Sequence, residues 1–149
     1  QSSRAVIPTI IQQAINGNKI NLGNTKPKRD FTYVDDTTAA YELALKSNLQ
    51  FKGEILNLGT GYSYSVLQIT KYISKILDKR LEIVSKKERF RPFKSEVDNL
   101  ISSNLKARMI LNWKPELVAS KGFKKGIIET ISFFKTYSKE IKRYNKFIY

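Results

Sequence analysis

The chain has 149 residues, 41% of them hydrophobic and 27% charged, which is the length of one globular domain with enough apolar side chains to bury a core. It contains no His and no Cys, which removes an imidazole base, a thiolate nucleophile, a disulfide framework and a zinc-type N/S site. Its 27 Lys and Arg against 13 Asp and Glu give a formal net charge of +14, which attracts polyanions but is equally what a solvated, lysine-rich surface carries.

From the start of the chain, Ile7, Ile10, Ile11, Ala14 and Ile15 recur at helical spacing, and Gly17 is a natural stop. Pro8 fits the first turn of that helix. A short extended piece is expected at Lys19 to Leu22, then a turn through GNTKPK and a second strand at Phe31 to Val34. Asp36 reads as the cap of a helix TTAAYELALK, with Ala40, Leu43 and Ala44 facing inward. The run EILNLGTG reads as a strand entering a Gly-rich turn. Ser65 and Gln68 form an S-x-x-Q capping box ahead of Val66, Ile69, Ile73, Ile76 and Leu77. A strand RLEIVS follows, then the irregular KKERFRPFKSEVDNL. Asn104 is the expected cap of LKARMIL, which ends at Asn112, a residue type tolerated in the left-handed position. Ser120 opens a last helix with Phe123, Ile127, Ile131 and Phe134 on one side; Trp113, Phe133 and Phe134 read as packing. From Ala119 to Tyr149 eight basic residues against two acidic ones alternate with apolar residues, as on the wet face of a helix. No apolar run approaches the roughly 20 residues of a bilayer span, and QSSRAVIPTII lacks the layout of a signal peptide, so no membrane association and a cytoplasmic location are expected.

Five stretches, RAVIPTIIQQAINGNKINLGN, RDFTYVDDTTAAYELAL, GEILNLGTGYSYSVLQITKYI, RFRPFKSEVDNLISSNLKARMILNWKP and GFKKGIIETISFFK, together resemble the carboxyl-terminal half of the extended short-chain dehydrogenase/reductase family, the NAD-dependent sugar-nucleotide epimerases and dehydratases. RAVIPTII, RDFTYVDDT and RPFKSEV look most like the bacterial 4,6-dehydratases that act on nucleotide-linked N-acetylhexosamines, as in nonulosonic acid pathways. The resemblance implies an α/β fold, with residues 1–34 and 80–149 mainly a substrate-binding lobe and 35–79 the last elements packed on a Rossmann sheet. It also implies that the N-terminal Rossmann half, with its NAD site, lies outside this chain. The implied parent is a homodimer that oxidises C4 of a UDP-, GDP- or dTDP-linked hexose or N-acetylhexosamine and then eliminates water; a UDP-sugar 4-epimerase is the alternative.

The family's cofactor turn is G-x-x-G-x-x-G, and the seven glycines, at 17, 23, 53, 59, 61, 122 and 126, never make that spacing. Gly59 and Gly61 make G-x-G before a capped helix, which reads as a tight turn or as an incomplete dinucleotide loop. None of the eight tyrosines has a lysine four residues later, so the family's Tyr-Lys base pair is missing as well. Neither catalytic nor cofactor-binding residues are therefore expected in this chain, and the chain alone is expected to be inactive. What the resemblance does carry over is a grip on the nucleotide. Arg29 matches the arginine that reaches the diphosphate or its ribose, the other reading being an ion pair with a neighbouring carboxylate. Asp30 and Asp35 orient that segment. Arg91 matches a second nucleotide-binding arginine, with Arg89 as the competing donor, and Glu96 falls where ribose hydroxyls are received. Lys94 and Ser95 leave Glu96 open to a shift of one or two residues. Arg4 matches a position near the phosphates; Ile20 and Leu22 match the strand lining the base pocket, or are simple core. A different class of function, a small basic nucleic-acid-binding module, has the net charge and the 11% aromatic content in its favour. Against it, the aromatics sit among apolar residues at helical spacing instead of in strand-centred clusters, so no nucleic acid partner is expected. A standalone binding or regulatory domain is the third reading.

Overall fold

The computed structural model describes residues 5–48, 50–51, 53–86 and 96–137. In chain order its elements are α1 (Val6–Asn16), β1 (Lys19–Leu22), β2 (Lys28–Asp30), α2 (Val34–Lys46), β3 (Ser63–Ser65), α3 (Val66–Leu77), β4 (Glu82–Ser85), β5 (Asn99–Leu100), α4 (Leu105–Leu111) and α5 (Ala119–Thr136). They sort into two compact units, one of Gln1–Pro27, Ser65–Glu96 and Ile127–Tyr149, the other of Lys28–Tyr64 and Val97–Gly126. Each unit is assembled from separated stretches, which is why no linker composition marks a boundary in the sequence.

In the first unit the predicted apolar face of α1 is realised, with Ile10, Ile11 and Ala14 completely buried. α1 packs on α3, whose Ile69 and Ile73 are also completely buried. The capping box forms as expected: Gln68 N–H donates to Ser65 Oγ at 3.1 Å and Ser65 N–H donates to Gln68 Oε1 at 2.8 Å. β1 and β4 pair in parallel, Lys19 opposite Glu82 through Leu22 opposite Ser85, with α3 lying between them in the chain. α3 stops at Asp78, in the left-handed region at φ 49°. The next residue, Lys79, donates its ammonium to Ala14 O at 2.9 Å and Ile15 O at 3.4 Å, placing a cation on the open carbonyls that end α1.

In the second unit β2 lies between β3 and β5 and runs parallel to β5, with Lys28 opposite Asn99 and Arg29 opposite Leu100. Ala40 of α2, Ala107 and Leu111 of α4, and Trp113 form the core, with Ala44, Phe51, Leu56, Leu58 and Ile110 packed against it. The α4 helix ends at Asn112 in the left-handed region (φ 52°), as its sequence predicts, and Trp113 is 1% exposed.

Several local expectations give way to tertiary partners. The second strand is at Lys28–Asp30 and not at Phe31 to Val34, because Val34 already begins α2 and Thr37 N–H bonds to Tyr33 O at 3.1 Å. Asp36 lies inside the first turn of α2 and caps nothing there. Its carboxylate is 4% exposed in residue terms and accepts from Glu116 N–H at 2.7 Å and Leu117 N–H at 3.2 Å. Its carbonyl receives the Trp113 indole N–H at 2.8 Å. Residues 54–60 form no strand: Leu58 O accepts from Thr32 Oγ1 at 3.2 Å and Gly59 O from Asn104 Nδ2 at 2.7 Å, so side chains occupy carbonyls that a ladder would use. That second bond also draws the Asn104 side chain away from capping α4. Leu43 is exposed, leaving Ala40 and Ala44 as the inward residues of α2. Trp113 packs as expected, whereas Phe133 is 53% exposed and meets only its helix neighbours Phe134 and Tyr137 among the ring contacts of the described residues.

Candidate functional site

β2 presents Arg29 and Asp30 in succession, and strand geometry sends consecutive side chains to opposite faces. The half-buried guanidinium of Arg29 donates through Nη1 to Lys28 O at 2.8 Å and to Val97 O at 2.6 Å. Val97 closes the RPFKSEV stretch, so the fold joins two segments that the sequence singles out separately. The neighbouring carboxylate, Asp30, is committed elsewhere. It accepts from four donors: Thr60 N–H at 3.0 and 3.1 Å, Thr60 Oγ1 at 2.6 Å, Gly61 N–H at 2.9 Å and Ser102 N–H at 3.3 Å.

The Gly59-Thr60-Gly61 turn exists for this contact. A Cβ on Gly59 would sit 2.4 Å from Ser102 Cβ and 2.9 Å from Asp30 Oδ2, and Gly61 adopts φ +78°, so both positions require glycine. The amides of Thr60 and Gly61, which a dinucleotide pyrophosphate would need, are engaged by Asp30. The turn therefore does not fit NAD, and the tight-turn reading of G-x-G holds. Among the described residues no group of three or more His, Cys, Asp or Glu is placed to hold a metal. No described helix is long and apolar enough to cross a membrane.

The other candidates are distributed. Ile20 and Leu22, 0% and 5% exposed, lie on β1 in the first unit. Between them Asn21 donates its N–H to Gln13 Oε1 at 2.8 Å and accepts from Gln13 Nε2 at 3.4 Å, so a side chain of α1 clasps the strand's backbone. Glu96 is half-buried at the end of that unit's middle stretch. Arg4, Arg89 and Arg91 lie outside the described residues. Thr60, Ser102 and Asn104 were not singled out from sequence as members of this region. The only local signal for them is the pair of glycines flanking a hydroxyl.

The family model described as GDP-mannose 4,6 dehydratase matches residues 2–126. The chain belongs to the NAD-dependent sugar-nucleotide epimerase and dehydratase family. Within that family it is 32% identical over 120 residues to a UDP-glucose 4-epimerase of Lactobacillus helveticus, covering 74% of this chain and 35% of that protein. It is 31% identical over 106 residues to a UDP-glucuronate 4-epimerase of Thermodesulfobacterium geofontis, covering 70% and 31%. Among solved structures, the UDP-glucose 4-epimerase of Thermotoga maritima with UDP-glucose superposes with a TM-score of 0.74 at 27% identity, over 89% of this chain and 40% of that one. A dTDP-glucose 4,6-dehydratase of Bacillus anthracis in complex with NAD gives 0.74 at 21% identity over 93% and 42%, a likeness of fold. The chain thus spans about a third of the length of the curated relatives it matches.

Proposed function

We propose that this chain supplies the grip on the nucleoside diphosphate in an NAD-dependent sugar-nucleotide 4,6-dehydratase. Arg29, Arg91 and Arg4 reach the phosphates and Glu96 receives ribose hydroxyls, while the side chains of Ile20 and Leu22, being buried, support β1 from its core side and do not themselves meet the base. The observation that supports this best is Arg29. Its guanidinium is held on the carbonyl of Val97, the last residue of RPFKSEV, and a planar fork of donors suits phosphate oxygens better than an ammonium does. The chain's part is positioning, and the bond-making groups and the NAD cradle belong to the rest of the enzyme, a homodimer acting on a UDP-, GDP- or dTDP-linked hexose or N-acetylhexosamine. A 4-epimerase is the second reading, favoured by the relatives above 30% identity, which are named as epimerases.

Mass spectrometry of the product, together with proton NMR to resolve the C4 configuration, separates the readings. The intact enzyme given UDP-N-acetylglucosamine, GDP-mannose or dTDP-glucose should release a 4-keto product lighter by one water. An isobaric C4 epimer would establish the second reading, and turnover of none of these or of their C4 epimers would sink both. The 149-residue chain alone should give no product with any of them. Turnover by that chain would overturn the assignment of the chemistry to other residues.

A further inference from the structure

β5 has only two residues, Asn99 and Leu100, and its ladder with β2 consists of the pairs Lys28–Asn99 and Arg29–Leu100. So short a strand does not hold its own register. It is fastened at both ends by consecutive residues of β2. Ahead of it, Val97 O receives Arg29 Nη1 at 2.6 Å, and Lys28 N–H reaches Asp98 O at 2.7 Å. Beyond it, Ser102 N–H reaches Asp30 Oδ2 at 3.3 Å. The same carboxylate is fixed from the other direction by the Thr60 and Gly61 donors, so it cannot follow Ser102 without breaking the bonds to the turn.

We infer that Asp30 is the positioning residue for Arg29, setting the guanidinium by locking β5 and hence the Val97 carbonyl on which it rests. Releasing Asp30 frees the far end of β5 and the end of β2 together. The short ladder then frays, and the carbonyl that anchors the guanidinium moves with it. Arg29 and Asp30 therefore act on nucleotide binding as a coupled pair and not as independent contributors. The inference rests on the reading of Arg29 as a diphosphate ligand.

The test is a double-mutant cycle in the intact enzyme, with UDP, dTDP and GDP as titrants and KM and kcat measured for the nucleotide sugar. Arg29→Ala should raise the Kd of the cognate nucleoside diphosphate about tenfold or more, the scale of a charge-assisted hydrogen bond. Asp30→Ala should raise it by a similar factor, with the effect on KM larger than on kcat. The double variant should bind no worse than the weaker single one. Asp30→Asn, which keeps an acceptor oxygen, should fall between Asp30→Ala and the parent. Thr60→Val removes the Oγ1 donor to Asp30 together with the acceptor of Tyr62 N–H at 3.2 Å, preserves the side chain's shape, and should raise Kd in the parent but not in the Arg29→Ala background; it decides the matter if Asp30→Ala does not accumulate. An unchanged Kd in the Asp30 variants, or factors that multiply in the double variant, would make Asp30 a fold residue only and overturn the inference while leaving Arg29's role standing. An unchanged Kd for Arg29→Ala itself would instead refute the underlying reading, and the inference with it.

Discussion

Replacing Asp36 with Ala should cost the second unit about 3 kcal/mol. The substitution leaves the Asp36 carbonyl, and so its bond from the Trp113 indole, in place. It removes both oxygens that accept Glu116 N–H at 2.7 Å and Leu117 N–H at 3.2 Å. Each bond to an ionised group contributes about 1.5 to 3 kcal/mol, and two at the lower figure give about 3 kcal/mol. The longer bond argues for the low end, and partial hydration of two orphaned amides limits the loss further. Asp36→Asn retains one acceptor and should lose about half as much. Trp113 is the single tryptophan and is 1% exposed, so its fluorescence reports this core in urea unfolding. The measurement belongs at low protein concentration, with the slope of the transition compared between variants. A midpoint for Asp36→Ala that corresponds to a loss below about 0.5 kcal/mol, with an unchanged slope, would show that these bonds merely replace equivalent ones to water.

Gly59→Ala should destabilise the same unit by about 2 kcal/mol or more, because the added methyl meets Ser102 Cβ at 2.4 Å and Ser102 O at 2.8 Å, backbone that cannot swing aside. Wild-type stability in thermal denaturation would show that the turn opens without cost. The isolated chain should self-associate. A hollow of about 220 Å³, apolar except for Glu54, lies among Ala40, Tyr41, Ala44, Phe51, Leu56, Leu58 and Leu111, and Tyr41, Leu45 and Ile55 are 66%, 86% and 78% exposed. Sedimentation should show mass rising with concentration, less so for Leu45→Glu combined with Ile55→Glu, and a monomer at every concentration would contradict this.

What the sequence disclosed was whatever could be satisfied locally. Ser65 and Gln68 cap α3 within one turn, Asn112 ends α4 by its own conformation, and the spacing of apolar residues in α1 and α3 marks the face to be buried without naming what covers it; all of these were legible. Asp36 and Asn104 have the chemistry of caps but are claimed from far along the chain, by Glu116 and Leu117 and by Gly59. Propensity carries no information about such partners. The run EILNLGTG has the pattern of a strand, yet its carbonyls at Leu58 and Gly59 are taken by side chains. At the site, Arg29 stood out because its residue type and surrounding motif resemble a known pattern. The four donors that hold Asp30 come from two other segments, and only the folded chain brings them to it.

The interleaving of the two units has a consequence during synthesis. Lys28–Tyr64 cannot complete its core until Ala107, Leu111 and Trp113 have left the ribosome, and Gln1–Pro27 belongs to a unit whose last stretch begins at Ile127. Closure of either unit therefore waits on loops of high sequence separation, which are slow to form. Until residues from Ile127 onward have emerged, Ile10, Ile11, Ile69 and Ile73 belong to an incomplete unit, and apolar surface left open in this way favours off-pathway association.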